Sequence, residues 1–232
     1  MVADNIRHIR ESVEGTCNRL GRDPASVKLI AVGKTFPPEK ILEAVNAGVA
    51  DIGENYVQEA TAKRSALNDE RIRWHFIGHL QTNKVKYIAE WVAMIHSVDN
   101  IRCAEEIQRH AARLGRRIDV LVEVNTSEEA TKFGVKPEQA VEFVHSLAVL
   151  PNVSVKGLMT IGPFTDRAEE SRASFRLLKT LFDEINRSKR MALTELSMGM
   201  THDYQLAIEE GATMIRIGTA IFGSRTNRTR QL

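Results

Sequence analysis

Apolar positions along this 232-residue chain follow two rhythms. The first is helical. Ile6, Ile9, Val13, Cys17 and Leu20 recur at spacings of three and four until Gly21 and Pro24, which predicts a helix over 1–21. Short β-branched or apolar runs then take over: VKLIAVG (27–33), VADIG (49–53), IRWHFIG (72–78), VAMIHSV (92–98), IDVLVEVN (118–125), VSVKGLMTI (153–161), LTELSMG (193–199) and ATMIRIG (212–218). Charged-faced helical stretches lie between several of them, at 38–47, 57–67, 100–114, 137–150 and 168–189. Eight strands alternating with helices imply βαβ crossovers and a parallel sheet. In one chain of this length the pattern predicts an α/β fold: a single (β/α)8 TIM barrel over 1–232, with one extra N-terminal helix. The alternative is a doubly wound open sheet, but AVGKTFP after the first strand carries no GxGxxG fingerprint.

A barrel keeps its chemistry where strands end and βα loops begin. Polar residues gather at that end of the eight runs: Lys34; Glu54 and Asn55; His75; His96; Glu123; Thr160; Ser197 and Thr201; Arg216 and Thr219. A lysine ending an apolar strand either snorkels to water or is held for chemistry. In a barrel mouth the ammonium of Lys34 is partly desolvated and becomes a nucleophile towards a carbonyl, with a Schiff base as the outcome. SMGMT (197–201) and RIGTAIFG (216–223) each run strand, glycine, hydroxyl residue, helix. Such junctions either make tight turns or point backbone N–H groups at an anion, and the loops after strands seven and eight are the usual barrel phosphate site. Strand alternation puts Arg216 on the face of Gly218 and opposite Ile215 and Ile217. If that face is the barrel interior, the buried charge needs a partner or a ligand.

Composition narrows the remaining choices. Hydrophobic residues are 43% and charged ones 27%, and the formal net charge is +2, too small a bias to imply a nucleic-acid partner. The most basic stretch, the tail at 225–232, reads as a solvated terminus. Two distant cysteines without a CxxC argue against disulfides or structural zinc. The charged N-terminus and the lack of a membrane-length apolar run predict a cytoplasmic protein with no membrane partner. His75 and His79 flank a strand end and a glycine, so no metal site is expected there. Glu54, Glu123 and Asp203 are expected in solvated or capping roles.

Six ordered motifs, AVGKT, IGENYVQE, WHFIGHLQTNK, GLMTI, LSMGMTHD and IRIGTAIFG, closely resemble the YggS/PROSC family of pyridoxal phosphate homeostasis proteins. The resemblance implies a barrel of the alanine racemase N-terminal-domain type. It implies pyridoxal 5'-phosphate as cofactor, bonded to Lys34, with Ser197, Gly218 and Thr219 as phosphate contacts, Arg216 against the pyridine nitrogen and Asn55 near the ring. Thr201 stands where the family often has serine, and keeps the hydroxyl. The function implied is to hold, buffer and deliver the cofactor, with PLP-dependent apoenzymes as recipients and effects on vitamin B6 and amino-acid balance.

Efficient catalysis is not expected. An always-charged arginine at the pyridine nitrogen disfavours protonating it, although alanine racemase shares that arginine. Racemases also need an acid/base group on each face, and the three tyrosines supply no evident one. The alternatives are a PLP-dependent racemase of low activity or a class I aldolase-like barrel, although an aldolase usually carries its lysine on a later strand. A monomer is expected.

Overall fold

The computed structural model describes residues 1–127, 129, 132–189 and 191–224, so the tail at 225–232 lies outside the described residues. The helix α1 (Val2–Arg19) comes first, followed by β1 (Lys28–Val32), α2 (Pro38–Asn46), β2 (Asp51–Glu54), α3 (Val57–Leu67), β3 (Arg73–Phe76) and β4 (Met94–Val98). The chain continues through α4 (Ile101–Arg113), β5 (Ile118–Glu123), α5 (Pro137–Leu147), β6 (Val153–Met159) and α6 (Ala168–Arg187). It ends with β7 (Glu195–Ser197), α7 (Tyr204–Glu209), β8 (Met214–Ile217) and α8 (Thr219–Phe222). The strands close into one parallel barrel in sequence order, with β1 paired to both β2 and β8. This is the (β/α)8 architecture expected from the pattern. Between β3 and β4 the crossover carries only the 3-10 helix Thr82–Tyr87.

Alternation along each strand divides the apolar residues between two cores. Ile30, Met94, Leu121, Met159 and Met214 pack together as a small cluster. The larger cluster lies between strands and helices and holds Trp74, Phe76, Ile215 and Ile217. Inward positions not taken by apolar side chains carry the polar residues described below. The strands are shorter than the apolar runs because their flanking glycines turn the chain: Gly199 sits at φ 89, so LTELSMG yields only Glu195–Ser197. At Gly157 a Cβ would come within 1.7 Å of the Glu195 carbonyl oxygen, so β6 and β7 can meet only over a glycine.

The extra helix has a structural reason. The helices after β7 and β8 are short, leaving part of the outer barrel uncovered, and α1 packs there against α7, α8 and α2. Of the periodic positions of the sequence, Ile6, Ile9, Val13 and Cys17 are buried, together with Val2 and Thr16, whereas Leu20 at the C-cap is exposed. Burial stabilises by roughly 1.5–3 kcal/mol per large aliphatic side chain. Polar ties fix the placement. Asn5 Nδ2 donates to Ile221 O (2.8 Å), Tyr204 Oη to Ser12 Oγ (2.9 Å), and Arg22 to the carbonyls of Ile208 (2.7 Å) and Ala212 (2.9 Å).

Candidate functional site at the barrel mouth

Barrel order fixes the order of side chains around the C-terminal rim. Ser197 and Thr201 follow β7, Gly218 and Thr219 follow β8, Lys34 follows β1, and Asn55 follows β2. Lys34 therefore stands between the hydroxyl-bearing turns on one side and Asn55 on the other.

The turn that carries Lys34 is clamped from below. Gly33 N–H donates to Gly53 O at 2.9 Å, and Gly33 O accepts from Phe36 N–H at 3.0 Å. The ammonium of Lys63, from α3, reaches under this turn. It donates to Gly33 O (2.7 Å), Glu54 Oε1 (2.8 Å) and Glu59 Oε1 (2.7 Å). Glu59 Oε1 also accepts the Thr35 N–H at 2.6 Å. Thr35 is held at φ 69, a left-handed conformation that a β-branched residue adopts only when its surroundings impose it. Lys34 itself is half-buried. Burial pushes the Glu54 carboxyl up to about 7 against the pull of Lys63 and Lys34.

The β7–β8 side is built differently. Arg216 lies inside the barrel, 4% exposed, and donates from Nη1 to Ser197 Oγ (2.7 Å) and from Nη2 to Thr160 O (2.8 Å). Among the described residues it makes no ion pair. Burial lowers its pKa to about 10, with Glu123 and Asp203 pulling the other way, so it remains a cation at neutral pH. Above it, Thr219 and Thr201 hydroxyls lie 3.2 Å apart, and with Ala220, Gly223 and Ser224 they line a concavity of about 680 Å³. Gly199 is required by its φ of 89 and by packing, since a Cβ would lie 2.5 Å from Ala207 Cβ. Gly218, at φ −112, needs no glycine for its conformation; a Cβ there would instead fill space next to Val32, 3.4 Å from its carbonyl oxygen.

On the other flank of Lys34, Asn55 borders a second concavity of about 450 Å³ with Tyr56, Gly78, His79, Lys84 and Glu123. Its Oδ1 is buried and has no hydrogen-bond partner among the described residues. Gly78 lets the chain pass close behind it, since a Cβ there would lie 2.3 Å from Asn55 O.

The model of the alanine racemase N-terminal domain family matches residues 2–226. The "Pyridoxal phosphate homeostasis protein" of Aquifex aeolicus is 48% identical over 222 residues, covering 96% of this chain and 97% of that protein. The chain belongs to this family. Its relatives carry the name of a homeostasis protein rather than of an enzyme. PipY of Synechococcus elongatus, solved with PLP bound, is 37% identical and superposes with a TM-score of 0.85 over 96% of this chain and all of that one. Alanine racemase of Clostridium difficile, at 16% identity and TM-score 0.73, shares the barrel across 58% of its length.

Lys34, Asn55, Gly218 and Thr219 each follow the end of a strand at the C-terminal rim, and Arg216, within β8, lies buried below it. Ser197 differs from expectation. It is completely buried beneath Arg216, and its hydroxyl is engaged by Arg216 and by His96 Nδ1 (3.0 Å). Thr201, by contrast, opens to the concavity. Glu54 (1% exposed) and Glu123 (4%) are also not solvated, because closing the barrel buries the ends of β2 and β5. Burial, reinforced by Asp99, pushes the Glu123 carboxyl up to about 7. Asp203 does cap a turn, accepting the Met200 N–H at 2.6 Å. Lys63 and Glu59 are functional neighbours that strand-end reasoning missed. Their signal was in the helix: position 63 continues the 57, 60 stripe that faces the barrel, and Glu59 precedes it by four. Among the described residues no cluster of metal-ligating side chains occurs.

Proposed function

We propose that this chain is a pyridoxal 5'-phosphate-binding protein of vitamin B6 homeostasis, with Lys34 as the amine that bonds the cofactor's aldehyde. The observation that carries this reading is the rim order: an amine-bearing turn between a glycine–hydroxyl turn and an amide oxygen without a partner among the described residues, over a buried guanidinium that makes no ion pair among them. The residues fit the group. Asn55 Oδ1 is buried without a hydrogen-bond partner among the described residues, and the donor set suits a phosphate and a ring nitrogen. PipY, a relative at 37% identity, holds the same cofactor.

Bound pyridoxal phosphate supplies an aldehyde that condenses reversibly with an amine and releases water. In this reading Thr201, Thr219 and the first N–H groups of α8 hold the phosphate, Gly218 admits it, and Arg216 donates to the ring nitrogen. Asn55 fixes the ring edge. Ser197 acts beneath, holding Arg216. The Lys63–Glu54–Glu59 clamp fixes the turn so that Lys34 projects between these contacts.

The role we assign is storage and delivery rather than turnover, in a cytoplasmic, monomeric, single-domain protein that passes the cofactor to PLP-dependent apoenzymes. Two features support it. Arg216 keeps a permanent positive charge where a protonated ring would be needed for strong electron withdrawal. Of the three tyrosines, Tyr204 is spent on Ser12, and Tyr87 is exposed beside Lys84 and Lys86. Tyr56 alone lines the mouth, and that observation keeps a weak racemase as the second reading. Absorbance titration of cofactor-free protein tests the first: the yellow band of bound cofactor should saturate at one equivalent. No band, or racemase turnover above about 1 per second with free amino acids, would overturn the reading.

A further inference from the structure

A continuous chain of polar side chains crosses the barrel interior, and the proposed function leaves most of it unused. It starts at the floor, where Arg73 clamps Asp51 through Nε–Oδ1 (2.9 Å) and Nη2–Oδ2 (2.6 Å). Asp51 Oδ1 then meets His75 Nε2 at 2.8 Å. His75 Nδ1 meets His96 Nε2 at 2.9 Å, His96 Nδ1 meets Ser197 Oγ at 3.0 Å, and Ser197 Oγ meets Arg216 Nη1 at 2.7 Å. Asp51, His75, His96, Ser197 and Arg216 are all 5% exposed or less. Each therefore settles its hydrogen bonds inside the chain.

Counting protons fixes the direction of every bond. Arg216 can only donate, so Ser197 Oγ accepts from it. Asp51 is a carboxylate: burial opposes its charge, but the Arg73 and His75 hydrogen bonds hold it well below the usual range. It accepts from His75 Nε2–H. If His75 is neutral, its Nδ1 is bare and accepts from His96 Nε2–H; His96 Nδ1 is then bare and accepts the Ser197 hydroxyl proton. Every donor meets one acceptor. The reverse order needs a cationic His75 and gives Ser197 Oγ two donors, leaving its own proton without an acceptor among the described residues. Burial holds the pKa of His96 well down, and two fixed cations facing it, Arg216 from β8 and Lys28 from β1, act in the same direction.

We infer that Asp51, at the barrel floor, orients Arg216 at the mouth through His75, His96 and Ser197, making these four positioning residues for the ring-nitrogen contact. This rests on the reading of the site given above. The carboxylate polarises the chain one way, so the Ser197 lone pairs always face the guanidinium and Arg216 is held in a single donor orientation. Arg73 serves only to hold the carboxylate.

Two-bond 1H–15N correlation spectra of histidine-labelled, cofactor-free protein at pH 7.5 test the polarity directly. Both His75 and His96 should be neutral Nε2–H tautomers; an imidazolium, or an Nδ1–H form of either, would overturn the inference. The second arm compares Asp51→Asn with Arg73→Gln. An asparagine can donate or accept, so the Asp51 variant should show an Nδ1–H form of His96 and lose bound pyridoxal phosphate about fivefold faster or more. Arg73→Gln removes the clamp but leaves the carboxylate on His75, and should shift the tautomers and the release rate less than Asp51→Asn does. Equal release from the two variants, or an unchanged His96 spectrum in Asp51→Asn, would show that Asp51 serves only the fold. Failure of the unmodified protein to bind the cofactor would refute the site reading, while the tautomers still decide the relay's polarity.

Discussion

The two walls of the barrel mouth solve opposite electrostatic problems. On the β1–β2 wall a cation is given every partner it can use: Lys63 has two carboxylates and a carbonyl, all within 2.8 Å. On the β7–β8 wall Arg216 is buried just as deeply but, among the described residues, receives only a hydroxyl and a carbonyl, both neutral. A satisfied buried charge fixes structure, whereas one without a counter-ion leaves its field available to a ligand. The first wall therefore builds the turn that projects Lys34. The second retains unspent positive charge for an anionic, aromatic guest.

Breaking the walls separately should expose that division. The largest expected effect is Lys34→Ala: the bound-cofactor absorbance should vanish while far-UV circular dichroism and melting stay near those of the unmodified protein, because the residue lies beyond the strand end. Next comes Lys63→Met, which strands Glu54 in the interior. Breaking a buried pair typically costs about 3–5 kcal/mol, so chemical denaturation should show a loss of that order. On the other wall Arg216→Gln should weaken cofactor binding by about tenfold or more, the scale of a lost charge-assisted hydrogen bond, with a much smaller loss of stability. Equal stability losses from Lys63→Met and Arg216→Gln would erase the distinction between the walls.

Smaller effects sharpen it. Thr201→Val should weaken binding several-fold, as expected for one lost hydrogen bond of about 1 kcal/mol, and Ser197→Ala should act through the orientation of Arg216. The last effect is a pH dependence. Glu123 has a folded-state pKa pushed up to about 7 from an ordinary 4.5. Between these values the folded chain binds more protons than the unfolded one, so this group's contribution to stability falls as pH rises through that window. Glu123→Gln should flatten the stability profile between pH 4.5 and 7. An unchanged slope would place Glu123 in water.

Much of this division was legible in the residues, and the exceptions share a cause. Period-two alternation set Arg216 on one face of its strand and Ile215 and Ile217 on the other, but closure of the barrel decides that the arginine's face is the inner one. His75 lies inside the barrel, and its partners could not be read from its own strand, since Asp51 and His96 come from neighbouring ones. Ser197, the last residue of β7, turns its hydroxyl into the interior towards Arg216 and His96, whereas Thr201, four residues on, faces the loop, a difference that the motif alone does not show. Glu54 and Glu123 were expected in water because composition alone penalises a buried carboxylate. Only closure of the barrel shows what surrounds them. Lys63 lay outside the search altogether, since its role depends on a helix reaching under a βα turn.

The claim on which the rest depends is that Lys34 is the residue bonded to the cofactor. Borohydride reduction of the loaded protein, followed by proteolysis and mass mapping, measures it directly. The account predicts a single pyridoxyl-phosphate adduct on the peptide containing Lys34. An adduct confined to Lys63 or any other lysine, or none at all on a protein that is visibly yellow, would contradict it.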